Sequence, residues 1–488
     1  MSDAPAAEAR AHPTRTLLVL AVGALAYALA QTMVVPALPE IQRHYDVDAT
    51  DATWVFTVFL VTSCICTPIL GRLGDMYGKE RLLLISLGTF AAGNLLAGLS
   101  QSIEVLILGR AIQGAGGAIF PLAIGIVRDE FPAERVASGI GSISAMFGIG
   151  GGIGLVVAGP LISAFGVDSI FWLSLLASLV AAWATWRFVP ESPVRLKARL
   201  DLGGAALLGA ALLSLLLAVS EGDTWGWGSG RVVGLFALAI VLGLIWAWWE
   251  RRVEDPTVDL SLMAKRPMWT TNLATFTVGL SMFASYILIP QLVQADPAKS
   301  GFGFDASITV SGLYLLPSAL IMLGAGPLSG RLSGRFGSRV PLALGAATSS
   351  LSYFWLAALH DHGWQIIFGV ALLGLGIGLA FAAMANLVVE AAPREYTGVA
   401  SGINTIVRSI GAAVGAQVAA SLLTASAGAN GLPAESGFEE AFVMSAVGAL
   451  LALGATALIP GRRSQRRAES ESESERPATA APVPEPTP

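Results

Sequence analysis

Fourteen apolar runs, each long enough to cross a bilayer, follow one another through the 488 residues of this chain with short polar connections between them. In hydrocarbon a backbone must satisfy its own N–H and C=O groups, so a run of about 20 apolar residues crosses as a helix. The runs fall at roughly 16–38, 52–71, 82–100, 104–127, 137–163, 168–189, 202–220, 231–249, 268–292, 307–329, 339–359, 364–389, 398–424 and 438–459. They predict an all-α integral membrane protein of 14 transmembrane helices. Charged residues make up 13% of the chain, about half the share of a soluble protein, and the mean hydropathy is +0.68. The first run is too long for a cleaved signal peptide and ends without a small-residue cleavage site, so it is expected to stay as a helix.

Basic residues gather on one side of the predicted bundle: Arg72, Lys79 and Arg81; Arg128 and Arg135; Arg187, Arg195, Lys197 and Arg199; Arg251, Arg252, Lys265 and Arg266; Arg331, Arg335 and Arg339; and Arg394. The opposite loops hold Arg43, Arg231 and Lys299. The positive-inside rule therefore places both termini and the basic turns in the cytoplasm, with the protein in the inner (cytoplasmic) membrane. The net charge of −5 does not bear on this, because acidic residues contribute little to topology. Trp225, Trp227, Trp246, Trp248 and Trp249 lie near helix ends, where indole rings favour the interface. The scarcity of lysine, with abundant alanine and glycine, points to a high-GC bacterial genome. Residues 1–15 and 461–488 are expected to be disordered cytoplasmic segments, the second opening on Arg462, Arg463, Arg466 and Arg467 before a Ser/Glu run.

Two patterns occur twice. The run from Gly71 to Lys79 and the run from Gly330 to Arg339 are 259 residues apart, each in a basic, glycine-rich turn. Ala137-Ser138-Gly139-Ile140 and Ala400-Ser401-Gly402-Ile403 are 263 apart, each after a proline, Pro132 or Pro393. Near-equal offsets imply two homologous six-helix halves, 16–190 and 268–460, with 191–267 a central linker carrying an extra helix pair. The layout is six plus two plus six, and duplicated helix sets of this kind are how many carriers are built.

With these features the chain resembles the major facilitator superfamily, in particular its fourteen-helix drug:proton antiporter branch, from about residue 15 to 460. In that family the turn between helices two and three carries a glycine, leucine, aspartate, glycine and basic residue in this order, matched by Gly71, Leu73, Asp75, Gly78 and Lys79, with Arg81 following. Glycines allow tight turns and close helix approach, and an aspartate there can pair with an arginine or cap the positive end of a facing helix. Such contacts form a conformational latch, held in one rocking state and broken in the other. A plain turn with a solvated aspartate is the competing reading. The second copy keeps Gly330, Arg335 and Arg339 but has Gly334 at the aspartate position, so the latch is expected to be asymmetric.

Leu106, Arg110, Gln113, Gly114 and Gly117 resemble the family's intramembrane arginine followed by glutamine and glycine. The resemblance implies a link to proton transfer; the residues alone also fit an arginine that binds carbonyls of a kinked neighbour. At roughly 2.5–3.5 kcal/mol or more for a charge at the bilayer centre, this arginine needs a polar partner or cavity. Gly148, Gly150, Gly151, Gly152, Gly154 and Gly159-Pro160 resemble the glycine motif of exporters, altered by Leu155 and Ala158. Thr32 to Pro39 keeps the end of the helix-one pattern of drug antiporters, but Ala30 stands at its aspartate position and Val35 at its asparagine position; Gln31 is the polar group nearby.

No predicted helix holds a carboxylate in its middle. Glu40 and Glu104 lie near outer ends, and Asp129, Glu130 and Glu390 near cytoplasmic ends. The charges inside the membrane are Arg110 and Arg408, with Asn404 one turn before the latter. Arginine does not release its proton in the accessible range. Either a helix-end carboxylate such as Glu40 or Asp129 takes the proton, tuned by a neighbouring arginine, or coupling is atypical. Unpaired arginines also fit an anionic substrate, and equally fit arginines satisfied by backbone and amide groups. Further cavity candidates are Asn94, Asn272, Gln291, Asn386 and Gln417, with Tyr27, Phe147, Phe276, Phe283 and Tyr286 as an apolar lining.

The expected function is a secondary active transporter that exports small amphipathic, drug- or antibiotic-like compounds by alternating access, in exchange for protons. Its partners are a small-molecule substrate, protons and the lipid bilayer, with no nucleic acid, cofactor or metal, and the chain acts as a monomer. The alternatives are an exporter of an organic anion or metabolite with atypical or no proton coupling, and a membrane sensor that kept the fold. An enzyme is not expected: there is no Walker loop, His12, His44, His360 and His362 fall in loops or tails, and His360-Asp361-His362 reads as a solvated turn. Cys64 and Cys66, two apart in one helix, read as packing residues.

Overall fold

The computed structural model describes residues 13–192, 194–428 and 432–460. Each apolar run is one helix: α1 Pro13–Tyr45, α2 Asp51–Tyr77, α3 Lys79–Gly98, α4 Ile103–Glu130, α5 Ala133–Phe165, α6 Ser169–Phe188, α7 Leu202–Ser220, α8 Gly230–Glu250, α9 Arg266–Gln294, α10 Thr309–Phe336, α11 Arg339–Ala358, α12 Gly363–Ala391, α13 Thr397–Ala425 and α14 Glu435–Leu458. Short helices at Gly222–Trp225, Leu260–Ala264 and Pro297–Ser300 lie in the connections, and there is no strand among the described residues. The expected disordered ends fall outside the described residues, except that Pro13 to Arg15 already form the first turn of α1. Several helices overrun their apolar runs because polar residues at the interface continue the same hydrogen-bond ladder. His44 is thereby in the last turn of α1 rather than in a loop.

Odd-numbered helices start at the end of the bundle that carries the basic turns, and even-numbered ones return to it. Helices α1–α6 and α9–α14 form two pseudo-symmetric six-helix halves, with α7 and α8 added between them. Leu208, Leu212 and Leu216 of α7 pack on Val61 and Cys64 of α2 and on Val399 and Ile406 of α13, so α7 lies across the seam between the halves. Helix α8 is outermost, with Val232, Ala239 and Glu250 as its buried residues. Both cysteines are free.

Glycine decides how closely the halves approach. On α5, Gly150 sits against Leu25 and Ala28 of α1, and Gly154 against Leu29 and Thr32, while Gly152 faces Ala319 of α10 in the other half. A Cβ on Gly152 would lie 2.7 Å from that of Ala319, inside any real contact distance. Gly159 and Pro160 fall beyond this sandwich in the last turns of α5, with Pro160 exposed. In α4 the run Gly114–Ala118 tightens to a 3₁₀ turn, with Gly114 pressed on Thr62 and Gly117 on Ser63 and Thr67 of α2. A mid-helix 3₁₀ turn of this kind marks a point where a helix can bend.

One expectation at the opposite end is corrected. His360 is not in a solvated turn: it is buried, with Nδ1 2.9 Å from the Leu356 carbonyl and Nε2 3.0 Å from Glu435 Oε1.

Candidate functional site

At the basic end the turn joining α12 to α13 is gripped at both of its poles by the other half. The Asp75 carboxylate, at the end of α2, accepts from the backbone N–H groups of Gly398 and Val399, each at 3.0 Å. These are orphan donors of the first turn of α13, where a helix dipole favours negative charge. Arg128, at the end of α4, donates to the Ala392 carbonyl at 2.7 Å, the Pro393 carbonyl at 3.1 Å and Thr397 Oγ1 at 2.6 Å. A cation thus meets the carbonyl end of α12 and an anion the amide end of α13. Arg72, also buried, lays its guanidinium 5.4 Å from the Tyr396 ring, and Asn386 donates to the Ala137 carbonyl across the same seam. Gly71 is required here: a Cβ would sit 2.8 Å from the Gly398 oxygen.

Behind Asp75, the fully buried Lys79 ammonium lies 2.7 Å from Asp129 Oδ2 and 3.4 Å from Asp75 Oδ1. One ammonium between two carboxylates leaves a net negative charge, which the amide end of α13 faces. Asp129 Oδ2 also accepts from Ser192 Oγ at 2.6 Å, while Oδ1 has no hydrogen-bond partner among the described residues. The ion-pair partner of Asp129 is Lys79, and the neighbouring arginine expected from the sequence, Arg128, acts on it electrostatically as well. Residues just after α6 close over this cluster. Leu196 N–H donates to the Asp75 carbonyl at 2.6 Å, and Glu191 pairs with Arg81 at 3.4 Å. The Glu191 carboxylate also fills the space beside Gly78, whose φ of 116° ends α2 in a conformation open to glycine. Leu73 packs on the core.

The structure brings Gly71, Asp75, Gly78, Lys79, Arg81 and Asp129 together but leaves the second copy apart from them. Gly330 packs on Ser138 of α5, Arg335 lies on the neighbouring Phe336 ring, and Arg339 donates to the Ala457 carbonyl. Glu40 is at the opposite end, ion-paired with Arg43 at 2.5 Å.

The two buried arginines differ. Arg110 donates through Nε to the Val55 carbonyl at 2.9 Å and through Nη1 to Gln113 Oε1 at 2.5 Å and the Ala30 carbonyl at 3.4 Å, and lies 4.1 Å from the Phe59 ring. Its Nη2 has no hydrogen-bond partner among the described residues. Ala30 thus offers this arginine only a backbone oxygen. Arg408 has no hydrogen-bond or ion-pair partner among the described residues and is enclosed by Phe381, Phe147 and Phe120, with ring centres at 4.2, 5.4 and 5.7 Å. Asn404 donates to Asn272 Oδ1 and Thr275 Oγ1.

Toward the opposite end the seam opens. A cavity of about 950 Å³, part of it open to solvent, is lined almost wholly by apolar groups, including Phe56, Phe283, Tyr286 and Ile287, with Gln31, Thr32 and Ser409 as polar points. It continues outward past Pro39, Gln291 and Gln294. Of the aromatic lining expected from sequence, Phe283 and Tyr286 stand in this cavity, whereas Tyr27 and Phe147 lie in the aromatic layer around Arg408. The grips by Arg128 and Ser192 were not anticipated. Their only sequence signal is a polar residue at a helix end facing a proline turn.

The Major Facilitator Superfamily model matches residues 20–416 and 273–485 of the chain. The multidrug resistance protein Stp of Mycobacterium tuberculosis is 31% identical over 84% of this chain and 76% of its own length. The tetracenomycin C resistance and export protein of Streptomyces glaucescens is 27% identical over 88% and 79%. The methylenomycin A resistance protein of Streptomyces coelicolor is 29% identical over 85% and 86%. The human organic anion transporter MFSD10 (TETRAN) superposes with a TM-score of 0.66 at 17% identity, over 91% of this chain and 99% of that one, a likeness of fold. The chain belongs to the Major Facilitator Superfamily, and it is a membrane transporter rather than an enzyme.

Proposed function

We propose that the protein exports small amphipathic, drug-like compounds by alternating access between its two six-helix halves, in exchange for protons. The observation that carries this reading is the Asp75 carboxylate on the Gly398 and Val399 amides. It is a buried contact between the halves that is strong when made and must break if the basic end is to open. With the basic end assigned to the cytoplasm by its lysines and arginines, the arrangement is the outward-facing one, closed inside and open outside. The apolar cavity suits the body of an amphipathic molecule. Relatives named for multidrug resistance and for antibiotic resistance and export support the substrate class. The whole path lies within one chain, which acts as a monomer.

For the proton we assign Asp75 and Asp129 around Lys79. Neutralising either carboxylate removes charge that Lys79 and the α13 amides meet, which loosens the closure; losing the proton restores it. Arg110 holds its proton throughout and positions α1, α2 and α4 through their carbonyls and amide.

The test is flux in proteoliposomes under an imposed pH gradient, read with a fluorescent amphipathic dye. Wild type is expected to move dye against its gradient, and Asp75→Asn to bind dye but lose gradient-driven movement. Flux indifferent to the gradient would remove proton coupling, and no movement of any dye would sink the export reading.

A further inference from the structure

Arg408 is a buried charge in the seam between the halves with no hydrogen-bond or ion-pair partner among the described residues; Arg72, the other such arginine, lies at the basic end against Tyr396. Its side chain is 5% exposed, and no carboxylate faces it; the aromatic rings of Phe120, Phe147 and Phe381 and the side chains of Tyr27 and Cys64 surround it. Arg110, equally buried, spends its guanidinium on carbonyls and an amide. Arg408 leaves all its donors unused. Ring faces attract a cation, but they accept none of its five N–H groups.

Arg408 is also part of a built surface. Ser401, Asn404, Thr405 and Arg408 are three, four and seven residues apart and so share one face of α13. With Phe120 and Ile124 of α4 and Phe381, Ala385 and Val388 of α12, they line a small cavity between the aromatic layer and the latch. The Ser401 hydroxyl, buried there, has no hydrogen-bond partner among the described residues either. Ser409, the next residue of α13, and Ala412, one turn on, line the large apolar cavity. Helix α13 therefore links an apolar chamber to a polar pocket headed by an uncommitted guanidinium.

We propose that Arg408 is the anchor for an anionic group of the substrate, so that the compounds carried are aromatic or amphipathic anions, bearing a carboxylate or phenolate rather than an ammonium. A planar carboxylate matches the guanidinium fork through two parallel hydrogen bonds, and the three phenylalanines hold the apolar body beside it. This inference rests on the export reading for its biological sense, but its test does not.

Fluorescein and rhodamine 6G share a xanthene frame and differ in charge. Their binding to the purified full chain in nanodiscs is read by fluorescence anisotropy, alongside gradient-driven flux in proteoliposomes. Wild type is expected to bind fluorescein at least about tenfold more tightly than rhodamine 6G, the worth of one charge-assisted pair. Arg408→Gln should remove that preference and leave rhodamine binding unchanged, and Arg408→Lys should keep part of it. Equal loss of both dyes in Arg408→Gln, or a wild type without anion preference, overturns the proposal. If Arg408→Gln does not fold, the wild-type preference and the Arg408→Lys ratio decide. Arg408-dependent anion binding without flux of either dye would leave the anchor standing and remove the export reading.

Discussion

The two copies of the basic turn share a backbone and differ in chemistry. In each, a glycine allows a close crossing with the other half, Gly71 on Gly398 and Gly330 on Ser138. In each, a glycine with positive φ ends the helix, 116° at Gly78 and 88° at Gly337. At the same offsets, Lys79 pairs with Asp129 in the first copy and Ser338 donates to Glu390 in the second. The first copy is buried and charged: Asp75, Arg72 and Lys79 are all covered, and the segment after α6 closes over them. In the second, Gly334 has no side chain, Arg331 is exposed, and a hydroxyl replaces the ammonium. Duplication thus supplies two similar glycine crossings but only one buried charge cluster. On the alternating-access reading proposed above, the crossings are hinges and the cluster a lock: the halves rock as equals and one of them carries the control.

If that is right, the largest effect comes from removing the lock's charge. Asp75→Asn leaves the two α13 amides without an anionic acceptor and Lys79 with one carboxylate. A charge-assisted hydrogen bond is worth about 1.5–3 kcal/mol, so gradient-driven transport should fall by about tenfold or more. Glu390→Gln in the second copy should change it by less than about twofold, the scale of an exposed polar contact. Equal losses in dye-efflux assays on the two variants would erase the distinction between lock and hinge.

The backbone half of the comparison predicts symmetry instead. Gly71→Ala and Gly330→Ala each place a methyl against backbone atoms, at 2.8 Å from the Gly398 oxygen and 2.5 Å from Ser138 Cα. Both should lower the thermal midpoint in detergent and slow transport to a similar degree, with a cost of about 1–3 kcal/mol each, as for overpacking elsewhere. Gly334→Ala meets nothing within 4 Å and should fold and transport as wild type. A tolerant Gly330 would mean that the second crossing is not part of the mechanism.

How much of this was legible in the sequence follows the same division. The helices were, because about 20 apolar residues admit few other structures in a bilayer. So was the choice at Asp75 between an arginine and a helix end, which the structure resolves in favour of the α13 amides. The grip of Arg128 on the α12–α13 turn and the Ser192 contact join residues far apart in the chain, and no periodicity announces them. Arg110 was readable as a charge needing partners, but those partners include backbone carbonyls, which every residue carries and no sequence distinguishes. The lysine beside Asp129 was hidden for a related reason: Lys79 belongs to the turn motif by sequence and to α4 by contact.

Within the charged cluster itself, the smallest effect should come from the segment that has no counterpart in the second copy. Ser192 donates to the oxygen of Asp129 that also faces Lys79, so Ser192→Ala removes one hydrogen bond and leaves the ion pair. A net loss of about 0.5–1.5 kcal/mol is expected, which shifts the balance between closed and open basic ends by roughly two- to tenfold while leaving the fold intact. The shift is measurable as maleimide labelling of a cysteine placed at Thr397, in a chain with Cys64 and Cys66 replaced by alanine. Thr397 is fully buried while Arg128 grips the turn, so labelling reports opening. Faster labelling in Ser192→Ala, with Asp75→Asn faster still, would place the start of the central linker in the lock. Labelling at the wild-type rate would confine the lock to Asp75, Lys79, Arg128 and Asp129, and would leave the linker as a cover over a cluster that holds without it.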